Sequence, residues 1–125
     1  LRMLDFRQLL ETYGVDYPAT MKRFMGNTGM YQRLLGMLFQ DDNFQKLGSA
    51  LECGELRSAF EAAHTLKGIA GNMGLTPLYE AVSAMVEPLR TGESREDYPA
   101  LYEAVRDELQ KAEELWERLE GGTPA

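Results

Sequence analysis

The chain has 125 residues, 44% of them hydrophobic and 26% charged, the balance of one globular domain long enough to bury a core. Its formal charge is −7, from 13 Lys and Arg against 20 Asp and Glu, and it has no basic stretch to neutralise phosphates, which argues against nucleic acid and against an anionic membrane surface. No apolar run approaches the ~18 residues that span a bilayer. Cys53, the one cysteine, has no partner for an internal disulfide, so a reducing, cytoplasmic setting is expected. No signal peptide opens the sequence, which begins at Leu1 as a processed or excised segment would.

In chain order, every well-formed segment reads as helix. Residues 5–14 open on Asp5 as a candidate cap and stop at Gly14, and 16–27 carry Pro18 in their first turn and stop at Gly26-Asn27. Residues 28–42 place Met30, Leu34, Met37 and Leu38 on one stripe, and 43–54 continue with Phe44, Leu47 and Leu51 to Gly54. Residues 55–74 form the helix that holds the only histidine. Thr76 as cap and Pro77 at the first helical position begin the next, which runs through Tyr79, Val82, Met85, Val86 and Leu89 to Thr91-Gly92, with Pro88 bending its last turn. The last helix, about 98–119, repeats Leu101, Val105, Leu109, Ala112, Leu115, Trp116 and Leu119.

No period-two runs with β-branched residues appear, so an all-α fold is expected. Short connections favour an antiparallel up-and-down four-helix bundle, with rods starting near 28, 55, 76 and 98. Residues 1–27 then form short additional N-terminal helices packing on the bundle of 28–120, and 121–125 form a flexible tail.

The stretch "AAHTLKGIAGNMG", residues 62–74, concentrates the chemistry. At about 100° per residue, Ala59, Ala62, Ala63, Leu66, Ile69, Ala70 and Met73 share an apolar arc of roughly 120° opposite His64. Arg57, Phe60, Glu61, Lys67, Gly68 and Gly71 lie on the histidine side, within roughly 60° of it. A lone histidine on a helix surface is most often incidental. The neighbours argue otherwise, because each interior glycine costs a helix on the order of 1 kcal/mol relative to alanine. Gly68 and Gly71 pointing outward would strip the surface beside His64, so that another molecule can approach. Gly74 needs no such reading, since a glycine ends helices well. Lys67, one turn on, brings an ammonium toward any group carried on the imidazole and binds phosphate oxygens as a point charge. Phe60 reads equally as an apolar rim to this surface or as a residue folded over by the N-terminal segment. An exposed nucleophile, a cation and a cleared surface together describe a docking site for phosphoryl exchange.

"AHTLKGIAGNMGL" closely resembles the signature of histidine phosphotransfer (HPt) domains of multistep two-component signalling. The family pattern of His, two residues, Lys-Gly, a small-residue stretch, then an apolar residue and Gly is met by His64, Lys67, Gly68, Ala70, Met73 and Gly74. With the helical plan, the resemblance spans about 28 to 120. It implies a four-helix bundle whose histidine takes a phosphoryl group from a receiver-domain aspartyl phosphate and passes it to another receiver. His64 would then be the phosphorylated residue, Lys67 the electrostatic partner of the phosphoryl group and Gly68 the clearance for attack, with Phe60, Glu61 and Gly71 around them as docking residues. Family members often place a polar side chain, such as glutamine, on the adjacent helix near the histidine. Here that stretch is apolar at Val82, Met85 and Val86, leaving Ser83, Glu87 and Arg90 as candidates.

Phosphoryl transfer has a loose transition state, in which positioning and charge stabilisation do most of the work. An imidazole, which titrates near ~6.5 in water, offers a free nitrogen lone pair at cellular pH. No carboxylate cluster accompanies His64 to hold magnesium, Glu61 being a single acid, so no metal or cofactor is expected on this chain. The receiver would bring both metal and acidic pocket. The chain reads as a phosphocarrier without turnover of its own, and without a phosphate loop for ATP. Response-regulator receivers are the expected partners, with a hybrid histidine kinase upstream. Three rivals stand beside this reading: a helical docking adaptor without phosphoryl chemistry; metal or haem binding, poorly served by one His and one Cys; and a hydrolase with His64 as base, for which no nucleophile is placed. Cys53, at the glycine turn, reads instead as a small apolar residue.

Overall fold

The computed structural model describes residues 2–121. Seven helices occupy most of them: α1 Met3–Tyr13, α2 Tyr17–Arg23, α3 Thr28–Leu38, α4 Asn43–Glu52, α5 Leu56–Asn72, α6 Thr76–Arg90 and α7 Tyr98–Gly121. The fold is all-α, as expected. Of the expected tail, residue 121 closes α7, and 122–125 lie outside the described residues.

Local chemistry accounts for most boundaries. The Asp16 carboxylate accepts the Ala19 N–H at 3.2 Å, and the Asn27 side chain accepts the Met30 N–H at 2.9 Å, each satisfying a donor that the first turn leaves without a partner. Gly14 ends α1 with φ 119, a conformation that L side chains rarely adopt. Two expected caps are not used. Asp5 lies inside the first turn of α1, where Arg2 holds the cap position. At α6 the cap position belongs to Leu75, and Thr76 is already helical. Leu75 is 0% exposed, so burial of its side chain decides where that turn enters the bundle.

Packing runs in sequence order: α4 against α5, α5 against α6, α6 against α7, with α7 also meeting α3, α4 and α1. The rod expected to start at residue 28 is two helices, broken at 39–42, where the Asp41 carboxylate accepts the Asn43 N–H at 2.8 Å. Both pieces lie along α7. Trp116 sits against Gly36, and Tyr102 sits against Gly48 while donating its hydroxyl to the Phe44 carbonyl at 2.9 Å.

The buried stripe of α3 differs in phase from the expected one. Tyr31, Leu35 and Leu38 are buried, whereas Met30 and Leu34 are half-buried and Met37 is 58% exposed. Tyr31 sets this phase: its ring meets Phe24 and Phe6 edge-on, at 5.2 and 6.4 Å between centroids, and its hydroxyl finds a buried acceptor. In α6, Leu78 takes the core position expected of Tyr79, which is 36% exposed. Cys53 is exposed at the end of α4 rather than filling apolar space. Among the described residues no helix is long and apolar enough to cross a membrane.

Candidate functional site

The two faces expected of α5 are present. Ala59, Ala62, Ala63, Leu66, Ala70 and Met73 are buried, mostly small side chains that let neighbouring helices approach closely, and Ile69 is half-buried. On the other side His64, Arg57, Glu61 and Gly68 are exposed, with Phe60, Lys67 and Gly71 half-buried.

His64 does not swing free. Its imidazole stacks on the Phe60 ring one turn earlier, with centroids 5.5 Å apart and planes 16° from parallel. Phe60 is held in turn by α6, whose Arg90 guanidinium lies 4.8 Å from its ring centroid while pairing with Glu87 at 3.1 Å. One turn beyond the histidine, the Lys67 ammonium stands 5.8 Å from the centroid of Tyr79, also on α6. The ladder from Phe60–Arg90 to Lys67–Tyr79 therefore orients the histidine face through aromatic contacts. The polar candidates of α6 divide accordingly: Ser83 buries its hydroxyl without a hydrogen-bond partner, Glu87 serves Arg90, and Arg90 reaches the platform under His64.

The outward glycines play different parts. Among the described residues, a methyl group at Gly68 would meet nothing within 4 Å, so the surface beside His64 is open there. At Gly71 the same methyl would stand 3.2 Å from Cδ2 and Cε2 of Tyr79. The space that Gly71 clears is thus occupied by the Tyr79 ring, which could not lie so close to a larger residue. Gly74 does end the helix, with φ 70, and a methyl there would run into the Thr20 hydroxyl.

The last turn of α5 is finished by side chains from far along the chain. Arg23, at the end of α2, donates from Nη1 to the Asn72 carbonyl at 2.6 Å and the Gly71 carbonyl at 3.3 Å. Tyr31 donates its hydroxyl to the Met73 carbonyl at 2.8 Å. These are carbonyls at the end of the helix, where intrahelical partners run out, and a cation there also complements the helix dipole. Burial pushes the Tyr31 hydroxyl well above the usual phenol range, Tyr13 adds to the rise, and Arg23 opposes it.

Arg23 is thereby brought to the edge of a shallow concavity that also includes His64, Lys67, Gly68, Asn72 and Tyr79. Charge is distributed unevenly around it. Arg57 is paired with Glu61 at 3.4 Å, and Arg90 with Glu87, whereas Lys67 and Arg23 have no carboxylate in ion-pair range among the described residues. Also among the described residues, no group of three or more His, Cys, Asp and Glu converges as metal ligands would.

Of the residues singled out in the sequence, the fold gathers His64, Lys67, Gly68, Phe60 and Gly71 along one stripe, with Glu61 turned toward Arg57 at its margin. Sequence reasoning missed Tyr79 and Arg23. Tyr79 fits an apolar helical stripe and gave no separate signal; Arg23 acts through a contact between segments 49 residues apart.

A family model described as "Hpt domain" matches residues 33–115, and no curated protein sequence matches the chain. Among solved structures, the fold is similar to the crystal structure of histidine-containing phosphotransfer protein B (HptB) from Pseudomonas aeruginosa PAO1, with a TM-score of 0.77 and 24% identity over 88% of this chain and 96% of that one. At that identity the likeness speaks for the shared helical architecture; the family match, over most of the length, speaks for descent. With His64 displayed on such a helix, the chain belongs to the Hpt family of histidine phosphotransfer domains.

Proposed function

We propose that this chain is a phosphorelay intermediate, in which His64 accepts a phosphoryl group from a receiver-domain aspartyl phosphate and passes it to another receiver. The observation that carries the reading is the surface around His64: an exposed imidazole stacked on Phe60, an open flank at Gly68, and at Lys67 a cation with no carboxylate in ion-pair range among the described residues. In the forward step a ring nitrogen of neutral His64 attacks phosphorus, the P–O bond to the aspartyl carboxylate breaks, and a P–N bond forms. The receiver keeps its carboxylate, and the relay step runs the same exchange onto the next receiver. Lys67 offsets the charge of the transferred group, and stacking on Phe60 reduces the rotamers the imidazole must give up. The receiver supplies magnesium and the acidic pocket, so the chain is a carrier without turnover of its own. A hybrid histidine kinase and response-regulator receivers, in the cytoplasm, are the partners this reading requires.

The test mixes the chain with a phosphorylated receiver domain and magnesium and follows label. The chain is expected to gain an acid-labile, alkali-stable phosphoryl group, and His64→Gln to abolish it. A panel of receivers that leaves the wild type unlabelled would instead favour a docking adaptor without transfer.

A further inference from the structure

The family match begins at residue 33, yet Arg23, well before it, is seated beside the histidine face. We infer that Arg23 is a receiver-docking residue, through which the N-terminal helices, and not the matched domain alone, set affinity for a phospho-receiver. The inference rests on the phosphotransfer reading and deepens it.

Position is the first argument. Arg23 is bonded to the Asn72 carbonyl, eight residues beyond His64 on one helix, or about 12 Å along its axis at ~1.5 Å per residue. A protein interface of ordinary size covers ~800 Å² on each partner, a patch of roughly 16 Å radius. A receiver centred on His64 with that footprint also covers Arg23.

Charge is the second. The chain carries −7 overall, but the two cations of this concavity, Lys67 and Arg23, have no carboxylate in ion-pair range among the described residues. Nη1 is the atom engaged with the α5 carbonyls, which leaves the other guanidinium nitrogens as donors for an incoming acidic group. A receiver, whose phospho-accepting pocket is built of carboxylates, presents the complementary sign. Rigidity is the third: anchored to the histidine helix by two carbonyls, Arg23 loses little side-chain freedom on docking.

Because Arg23 also caps α5, the test separates docking from folding. Arg23→Gln keeps an amide donor for the carbonyls and removes the charge; Arg23→Lys keeps the charge; Arg23→Glu reverses it. Labelling of His64 by small-molecule phosphoramidate, which involves no receiver surface, and a thermal melt report the integrity of the site in each. Transfer from a phosphorylated receiver is then measured against receiver concentration and salt. The receiver concentration that gives half-maximal transfer rate is expected to rise about three-fold in Arg23→Gln and about ten-fold in Arg23→Glu, with the maximal transfer rate little altered, a shallower salt dependence, and rescue by Arg23→Lys, the pattern of a charge at an interface rim. An unchanged half-saturating receiver concentration and salt slope in Arg23→Gln and Arg23→Glu would overturn the inference and leave Arg23 a helix cap. Failure of the wild type to accept label from any receiver would overturn the phosphotransfer reading, a different result.

Discussion

Gly68 offers a measurement in which stability and function should move in opposite directions. Replacing it with alanine removes the backbone freedom that glycine contributes to the unfolded chain, a gain of about 1 kcal/mol in a helix interior. Among the described residues nothing lies within 4 Å of the added methyl, so no clash offsets that gain. With an unfolding entropy of about 2.1 cal/mol/K per residue, a chain of this size should melt roughly 4 °C higher. Gly68→Gln should keep most of the increase, since glutamine is a good helix former, while projecting an amide over the ground a receiver must cover. A displacement of ~1 Å between reacting groups costs up to ~10²-fold in rate, so transfer to Gly68→Gln should fall by one to two orders of magnitude, and to Gly68→Ala by less. Circular dichroism melts and single-turnover transfer from a labelled receiver give both quantities on one preparation. Gly71→Ala is the control: its methyl meets Tyr79 at 3.2 Å, so its melting point should not rise comparably. A Gly68→Gln protein that melts higher yet transfers at the wild-type rate would refute the idea that this glycine is there for access.

Other substitutions test other links. Gly36→Ala should destabilise, opposite in sign to Gly68→Ala, because the methyl would stand 2.8 Å from Nε1 of Trp116; overpacking of ~1–3 kcal/mol should outweigh the ~1 kcal/mol of helix propensity, read by urea denaturation. Lys67→Ala should slow transfer from a receiver while the melt changes by less than about 1 kcal/mol, the scale of a cation over an exposed ring such as Tyr79. Tyr31 and Tyr13 are held protonated by burial, with folded pKa values above the unfolded value of 10.0. Stability from these groups is therefore intact below about pH 10 and lost as pH rises beyond it. The urea midpoint should fall across that range, and Tyr31→Phe should flatten the fall while lowering stability near neutrality by ~1–3 kcal/mol, having orphaned the Met73 carbonyl.

Much of this architecture was legible because glycine, proline and asparagine punctuate the chain where helices end. The histidine face of α5 was legible as well, since a long helix with one apolar arc leaves little freedom in which way it turns. Tertiary partners decided the rest. The buried stripe of α3 follows Tyr31 because that hydroxyl reaches a carbonyl on another helix, which no periodicity encodes. Tyr79 looks like a core residue in a one-dimensional pattern, and only the register of α5 against α6 brings its ring over Gly71 and under Lys67. The opening of α6 went to a buried leucine over a good capping threonine, burial outranking a surface hydrogen bond.

The clamp on the end of α5 has a kinetic side. Arg23 and Tyr31 close the carbonyls of residues 71–73, and the Thr20 hydroxyl abuts Gly74, so local opening of that end must first release contacts made by Arg23 and Thr20 of the N-terminal α2 and by Tyr31 of α3. Fraying from residue 72 reaches Lys67 before it reaches His64. Amide hydrogen exchange along α5 should accordingly be graded, and a chain shortened to begin at residue 33 should lose protection first around 68–72. The reactive imidazole would then remain on an ordered turn beside a cation that no longer holds its place. In such a shortened chain, the lifetime of the phosphorylated histidine would report on helices that never touch it.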